Sequence, residues 1–426
     1  MNVTRSVGPR NWLRLSVYIL LIGVATGLFA AGLVWLLHGV EYLVYGQHEG
    51  EVAVVTEGTS GLQRFVGITL AGLIAGPAWA YLRTKATPIE SVEAGMSGRT
   101  MPVWSTLANV VLQMGTVAAG ASVGRENAPR EAGAMVASQL SMRLGIDPLT
   151  RRILVAAAAG AGLGAIYHIP LAGAVFALEI LLGSFSVQAV MIVLACSAIA
   201  TVTSSFVVGS SPLYDPIELS EGWGNLGAAI VVGVICGLAG YAFRIASSKA
   251  SEAAPRGWHS AWTIPVTSAG VGLASLWLPE VLGNGRIAAT TVLMDRPMLV
   301  FAIVLLVAKV IAVLATFRAG AIGGVLTPGF ALGALSGFLI GCALQPLMPQ
   351  VPLSDFALLG AAAFLSTTMA APFFALIVTV EFTGQGSAAY LPLFLTAATA
   401  SFAVALLRSN EQPGPTVRMP WNRRTN

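Results

Sequence analysis

GRENAPREAGA, residues 124–134, places four charged side chains inside an apolar region that is long enough to cross a membrane. Moving a charge to membrane depth costs at least about 2.5–3.5 kcal/mol on insertion scales. Such a cluster indicates a functional site, and the alternative is a helix start held by Arg–Glu pairs for folding alone. The charged residues are Arg125, Glu126, Arg130 and Glu131.

The residues inside this stretch predict a break in the chain followed by a new helix. Three glycines occur within 115–124, and Pro129 suits the first turn of a helix. A helix is therefore predicted to begin at Asn127 or Ala128. Unpaired backbone amides at such a start attract anions, and Glu126 lies beside them.

The composition limits the class of protein. Of the 426 residues, 56% are hydrophobic and 10% are charged, whereas a soluble domain has about 25% charged residues. The apolar runs have helical lengths and lack the alternation of a membrane barrel, so an all-α polytopic membrane protein is predicted. The three cysteines have neither metal-ligand nor disulfide spacing, so we expect no cofactor.

The apolar runs are uneven and broken by Gly or Pro, which is typical of a transporter and not of a simple bundle. They lie at about 13–37, 62–82, 104–122, 131–141, 152–184, 187–208, 225–247, 263–279, 297–316, 321–345, 354–381 and 389–407. A transmembrane domain is predicted at 13–408, between tails at 1–12 and 409–426.

Basic residues predict the orientation of the chain. Three arginines lie in 1–14 and four in 408–426, whereas 210–224 contains three acids and no base. Both tails are therefore predicted to be cytoplasmic and 210–224 external, in a multi-pass protein of the cell membrane. The formal net charge of +4 lies largely at the two ends, so it indicates topology and not nucleic-acid binding.

The sequence contains an internal repeat. Residues 159–170 resemble residues 361–372, and both segments end in a proline. In each copy a glutamate follows nine residues after that proline, as Glu179 and Glu381.

Glycine-rich turns support the repeat. They lie at 124–129 and 320–328 and occupy matching places before the two prolines. Two halves built alike, at about 13–208 and 225–408, predict a repeat transporter whose site lies between them.

Three segments are predicted to start helices inside the membrane. Thr87 and Glu90 form a capping box, 127–129 forms the second start, and Thr327 caps the third within 323–329. Each start is common alone. Three positive helix ends that meet in one place would form a site for a small inorganic anion.

These motifs resemble those of the CLC family of chloride channels and proton-coupled chloride transporters. GRE (124–126) with Pro129 resembles the family's GREGP, and GGVLTP (323–328) resembles its GGIFAP. PLAGAVFALE (170–179) resembles the segment that leads to the family's inner glutamates. The resemblance covers about residues 12–408.

The resemblance implies a homodimer in membrane lipid, with two inverted halves and one anion pathway in each subunit, and without cytoplasmic regulatory domains. Glu126 would be the external gating glutamate. The helix starts and the resemblance together give these expected anion-binding residues: Lys85, Thr87, Arg125, Glu126, Asn127, Gly324, Val325, Leu326 and Thr327.

Several positions depart from the family pattern, among them Asn127-Ala128, which stand where GREGP has a single glycine. Lys85 stands where the anion-coordinating serine is expected, and Ile180 replaces the inner proton-transfer residue. The inner tyrosine has no counterpart in the C-terminal tail, where Val417 is a candidate for its place. Chloride is the default substrate. A lysine in the pathway would favour bicarbonate or another oxyanion, whereas a lysine that reaches the membrane surface with Arg83 would not.

The residues leave proton coupling open. Glu179 and His168 are candidates for an inner proton path, although a structural role is commoner for a histidine. A passive channel and a proton-coupled antiporter both fit the sequence.

An intramembrane enzyme is the alternative from another class, since buried acids and bases can catalyse reactions. The sequence has no evident nucleophile–base pair and no HExxH motif, so we expect a transport protein and not an enzyme. A membrane scaffold would not need three polar breaks at membrane depth.

Overall fold

The computed structural model describes residues 9–46, 58–210, 212–220 and 222–409. The α-helices within these residues are α1 (Pro9–Tyr45), α2 (Gly61–Thr84), α3 (Val92–Met96), α4 (Val103–Ala118), α5 (Asn127–Arg143), α6 (Pro148–Tyr167), α7 (Pro170–Phe176), α8 (Val187–Val208), α9 (Trp223–Glu252), α10 (Ser260–Ala274), α11 (Arg286–Thr290), α12 (Leu299–Ala319), α13 (Leu326–Leu344), α14 (Leu353–Met369), α15 (Pro372–Thr383) and α16 (Tyr390–Ser409). π-Helical turns continue α7 to Leu182 and α11 to Asp295.

The predicted tails fall largely outside the described residues. Residues 1–8 and 410–426 are not described. Val417, the candidate for the place of the inner tyrosine, lies in the second of these segments and therefore outside the described residues. α1 already begins at Pro9, which is earlier than the predicted boundary at residue 13.

Eight of the described helices are long and apolar enough to cross a membrane, namely α1, α2, α6, α8, α9, α12, α13 and α16. α4, α7, α14 and α15 are apolar but shorter. Lipid offers no hydrogen-bond partner to a backbone amide, so each crossing segment must close its own bonds as a helix. The predicted all-α fold with uneven, broken helices is confirmed.

The two long apolar runs of the repeat break at matching places. α6 ends at Tyr167, the capping residue His168 has a φ of 57°, and α7 begins at Pro170. α14 ends at Met369, the capping residue Ala370 has a φ of 51°, and α15 begins at Pro372. Proline suits the first position of a helix, where its missing N–H costs nothing. The same turn therefore interrupts both halves.

α6 and α14 form the centres of the two halves. Every residue from Ile153 to Tyr167 is buried, and so is every residue from Asp355 to Met369. Both segments contain at least four alanines, and each contains at least one glycine. Small residues let helix backbones approach closely in a membrane, where packing replaces the hydrophobic effect as the source of association.

The two halves meet at an antiparallel backbone bridge between Gly124 and Gly324. The Gly124 N–H donates to the Gly324 carbonyl at 2.8 Å, and the Gly324 N–H donates to the Gly124 carbonyl at 2.9 Å. This bridge joins the two glycine-rich turns predicted from the repeat. Their antiparallel pairing agrees with two inverted halves.

Candidate functional site

Glu126 lies at the junction of the two halves. It precedes the first residue of α5, and its side chain is 3% exposed. Its Oε1 accepts a hydrogen bond of 2.6 Å from the Leu326 N–H. That amide begins α13 and has no partner within its own helix. The carboxylate of the first half therefore occupies the helix start of the second half.

The bridged glycines leave room for this carboxylate. A Cβ at Gly124 or at Gly324 would overlap the carboxylate oxygens of Glu126. Neither glycine has a positive φ, so the close approach of the side chain accounts for the missing Cβ, and backbone strain does not. The Oε2 of Glu126 has no hydrogen-bond partner among the described residues.

The predicted cap at Thr327 is wrong by two residues. Val325 is the capping residue and Leu326 the first residue of α13, which places Thr327 inside the first turn. The bridge at Gly324 holds the chain extended, so the helix begins as soon as the bridge ends. The Thr327 side chain is fully buried, and its hydroxyl lies beside the Tyr167 hydroxyl.

The predicted capping box at Thr87 is also wrong. Residues 87–90 are not helical, and the five-residue α3 is capped by the Ser91 hydroxyl, which accepts from the Ala94 N–H at 3.2 Å. Glu90 instead pairs with Arg99 at 3.2 Å and cannot close a capping box. The starts of α5 and α13 meet, but the third predicted start does not begin where the sequence suggested.

Lys85 lies at the end of α2 and its side chain is exposed. Its backbone N–H donates to the Tyr81 carbonyl, whereas its side chain makes no hydrogen bond with a described residue, and Thr87 is exposed as well. The interpretation that Lys85 reaches the anion relied on a helix start at Thr87. Without that start, anion binding by these two residues stays a prediction.

Glu131 is held by amides. Its carboxylate accepts hydrogen bonds from Asn109 at 2.7 Å, Gln113 at 3.0 Å and Asn127 at 2.8 Å. The Trp79 indole N–H holds Asn109 in place at 2.9 Å. The side-chain amide of Asn127 is therefore engaged by this network, which leaves its backbone as the part that an anion could contact.

Glu179 and Glu381 form a reciprocal contact between the halves. Glu179 Oε2 accepts from the Phe374 N–H of α15 at 2.7 Å, and Glu381 Oε2 accepts from the Ala172 N–H of α7 at 2.6 Å. The other oxygen of each carboxylate accepts from the preceding amide. A carboxylate complements the positive end of a helix. Each half therefore caps a helix of the other, and a proton path through Glu179 stays a prediction.

His168 takes part in the turn that ends α6. Its Nδ1 lies 3.1 Å from the Ser205 hydroxyl of α8. This contact fits the structural alternative for the histidine. A role of His168 in proton transfer stays a prediction.

Tyr167 lies near Glu126 and Arg125, and Tyr214 lies near Arg125. The sequence did not single out either tyrosine. The Arg125 guanidinium lies 4.8 Å from the centroid of the Tyr167 ring. The Tyr167 hydroxyl lies beside the side chains of Arg125 and Thr327. The Tyr214 hydroxyl is buried and has no hydrogen-bond partner among the described residues. Buried polar groups without partners are rare and often mark a ligand or water site.

Known proteins resemble the chain along most of its length. A family model described as voltage gated chloride channel matches residues 71–405. The voltage-gated ClC-type chloride channel ClcB of Yersinia pseudotuberculosis is 32% identical over 388 residues, which cover 86% of this chain and 92% of that protein. ClcB of Salmonella typhimurium is 27% identical over 379 residues, which cover 86% and 90%.

Solved structures share the fold. A slow cyanobacterial Cl⁻/H⁺ antiporter has a TM-score of 0.81 at 20% identity, with 98% of this chain and 97% of that chain covered. A CLC-type fluoride/proton antiporter has a TM-score of 0.73 at 20% identity, with 93% and 96% covered. The fold, the motifs at the bridged glycines and the match to the family model agree. The chain belongs to the voltage-gated chloride channel family, known as the CLC family.

Proposed function

We propose that this CLC protein carries a small inorganic anion across the cell membrane through a pathway closed by Glu126. The hydrogen bond from the Leu326 N–H to the Glu126 carboxylate carries this proposal. An unpaired amide at a helix start binds anions, so the carboxylate occupies the place that a permeant anion would take. Protonation removes the charge of the carboxylate and weakens its hold on the amide.

The proposed pathway needs few full positive charges. The starts of α5 and α13 contribute oriented amides, and the bridge between Gly124 and Gly324 holds the two starts together. Partial charges at helix ends stabilise an anion without binding it so tightly that it cannot leave. The amides of Glu126, Val325 and Leu326 are the proposed lining.

Chloride is the proposed substrate. The ClcB relatives are named as chloride channels, and one structural neighbour is titled a Cl⁻/H⁺ antiporter. The oxyanion alternative required Lys85 to face the anion from two residues before a helix start. The first helical residue after Lys85 is Val92, so this requirement loses its structural basis.

Replacing Lys85 with serine is expected to leave the order of permeant anions unchanged. The side chain is exposed and makes no described hydrogen bond, so its removal changes the charge of a surface and not the lining of the pathway. The measurement is flux of chloride, nitrate, bicarbonate and fluoride from liposomes that contain the purified wild type or Lys85→Ser. A shift of bicarbonate or nitrate relative to chloride in the variant would put Lys85 in the pathway. Absence of flux of all four anions from the wild type would reject the transport proposal itself.

We also propose a homodimer, with the outer faces of α7 and α15 in the contact surface. Phe185 and Phe373 are each 54% exposed, and their ring centroids lie 6.4 Å apart. The half-buried carboxylates of Glu179 and Glu381 lie on the same two helical segments. Carboxylates at membrane depth are costly next to lipid, and a second copy of the chain would cover them.

Single-molecule bleaching in bilayers should show two steps per particle at low protein density. Apolar surface alone does not signal contacts in lipid, so the count has to be made in a membrane and not in detergent. The double variant Phe185→Ala with Phe373→Ala should raise the share of single steps. Single steps throughout for the wild type would rule out the dimer.

A further inference from the structure

Lys309 places a positive charge in the interior of the protein. It lies at the midpoint of α12 and is fully buried. It forms no ion pair with a carboxylate of the described residues, so no acidic partner accounts for the charge. An ionisable side chain inside a membrane segment is costly, and it therefore marks a candidate functional residue.

Three consecutive backbone carbonyls bind the ammonium group of Lys309. Its Nζ donates to the carbonyl oxygens of Val281 at 2.8 Å, Leu282 at 3.2 Å and Gly283 at 2.7 Å. We call these three residues the carbonyl turn, because Gly283 has a φ of 65° and turns the chain. An ammonium group has three N–H donors and no acceptor. The three carbonyls therefore match the charged form of the lysine.

The carbonyl turn is joined to the glycine-rich turn of the first half. The Gly283 N–H donates to the Gly120 carbonyl at 2.8 Å. The Ser122 hydroxyl donates to the Val281 carbonyl at 3.3 Å. Gly120 and Ser122 lie shortly before Gly124, which forms the backbone bridge between the halves. Lys309 therefore holds this side of the bridge through one intervening segment.

The chain that follows the carbonyl turn packs against α13. A Cβ at Gly285 would lie 3.3 Å from the Thr327 carbonyl oxygen, in the first turn of that helix. α13 begins at Leu326, whose N–H donates to the Glu126 carboxylate. The segment that Lys309 holds thus contacts both sides of the gate, namely the turn that leads to Glu126 and the helix that binds its carboxylate.

We propose that Lys309 is a positioning residue for the Glu126 gate, because its ammonium group fixes the carbonyl turn between the two helix starts. This proposal rests on the proposed transport function. Without the ammonium group the three carbonyls lose their shared donor, and buried carbonyls without a partner are costly. The carbonyl turn then moves, and the Leu326 N–H loses its alignment with the carboxylate. Hydrogen bonds weaken steeply as their angle worsens, so the closed gate becomes less stable.

Replacing Lys309 with methionine keeps a long unbranched side chain and removes all three donors. The measurement is the ratio of chloride flux at low pH to chloride flux at neutral pH, in liposomes. The ratio is expected to fall at least about twofold, the lower end of what one hydrogen bond contributes, because flux at neutral pH rises. A loss of folded protein lowers both fluxes equally and leaves the ratio unchanged. Arg125 and Arg130, the charged side chains that act on Glu126, stay in place.

Two variants of α12 serve as controls. Lys309→Arg keeps the charge and the N–H donors and should restore most of the wild-type ratio. Leu305→Met changes another fully buried residue of the helix, removes no hydrogen bond and should keep the wild-type ratio. A wild-type ratio in Lys309→Met would overturn the proposal. If Lys309→Met does not fold, Ser122→Ala decides instead, because it removes one of the two hydrogen bonds between the turns, and an unchanged ratio there would also overturn the proposal.

Hydrogen exchange separates this role from the transport function. The amides of Gly124 and Gly324 pair in the bridge, and their exchange should be faster in Lys309→Met than in the wild type. Faster exchange in a protein that passes no anion would reject the transport function and keep the role of Lys309 in holding the bridge. A pH-dependent flux whose ratio is the same in Lys309→Met and the wild type would reject the positioning role and keep the transport function.

Discussion

Anion flux through the Glu126→Gln variant is expected to be independent of pH. In the wild type the carboxylate accepts from the Leu326 N–H, and protonation at low pH weakens this contact, so flux should rise as pH falls. Glutamine cannot lose a proton and carries no charge at any pH. Flux of the variant at neutral pH should therefore equal or exceed the flux of the wild type at low pH. A hydrogen bond to a charged group contributes about 1.5–3 kcal/mol, so the increase at neutral pH should be at least about tenfold.

Liposome flux over a range of pH tests this expectation. Glu90→Gln makes the same chemical change in an ion pair with the exposed Arg99, where the interaction contributes little, and should keep the wild-type pH profile. If Glu126→Gln keeps that profile as well, another group controls the pathway. Thermal unfolding of both variants shows whether a loss of flux reflects a loss of folded protein.

The sequence predicted the helices because apolar length and Pro/Gly breaks are local signals. α8 begins and ends at the predicted residues 187 and 208. The spacing from proline to glutamate also found the two matching breaks and the equivalence of Glu179 and Glu381. Each carboxylate accepts a hydrogen bond from a backbone amide of the other half, about two hundred positions away in the sequence. These contacts depend on the inversion of the repeat. No local pattern specifies it.

The helix caps show where local patterns fail. Thr87 and Thr327 both precede a proline and match a common start, yet tertiary contacts move both starts. Before Thr327, the backbone bridge between Gly324 and Gly124 keeps the chain extended, so α13 can begin only after Gly324. Glu90 forms an ion pair with Arg99, so its carboxylate does not bind the backbone N–H of Thr87 as a capping box requires.

The two tyrosines near Arg125 were not found from the sequence. Tyr167 lies in the repeat segment 159–170 and Tyr214 in the segment 210–224, and neither residue carries a local signal of a site. Their proximity follows from the fold alone. Buried hydroxyls without partners are visible only once side chains are placed, so this part of the candidate site could not be predicted from spacing.

Replacing Gly324 with alanine is expected to reduce anion flux at every pH by at least about fivefold, which corresponds to the lower end of an overpacking cost of about 1–3 kcal/mol. The new Cβ would overlap the place of the Glu126 carboxylate, and its three nearest neighbours all belong to that side chain. Glu126 can move aside, so the protein should still fold. An anion that binds the Leu326 N–H would meet the same methyl group and could not move aside without leaving the amide.

The double variant Glu126→Gln with Gly324→Ala decides whether the anion and the carboxylate share one place. If they do, the low flux of Gly324→Ala persists in the double variant, because the methyl group blocks the amide whatever residue stands at position 126. Recovery of flux in the double variant would mean that the anion binds elsewhere and that the methyl group only displaced the gate. Gly115→Ala is the control, since a Cβ at Gly115 meets no atom within 4 Å and should leave both flux and thermal unfolding unchanged.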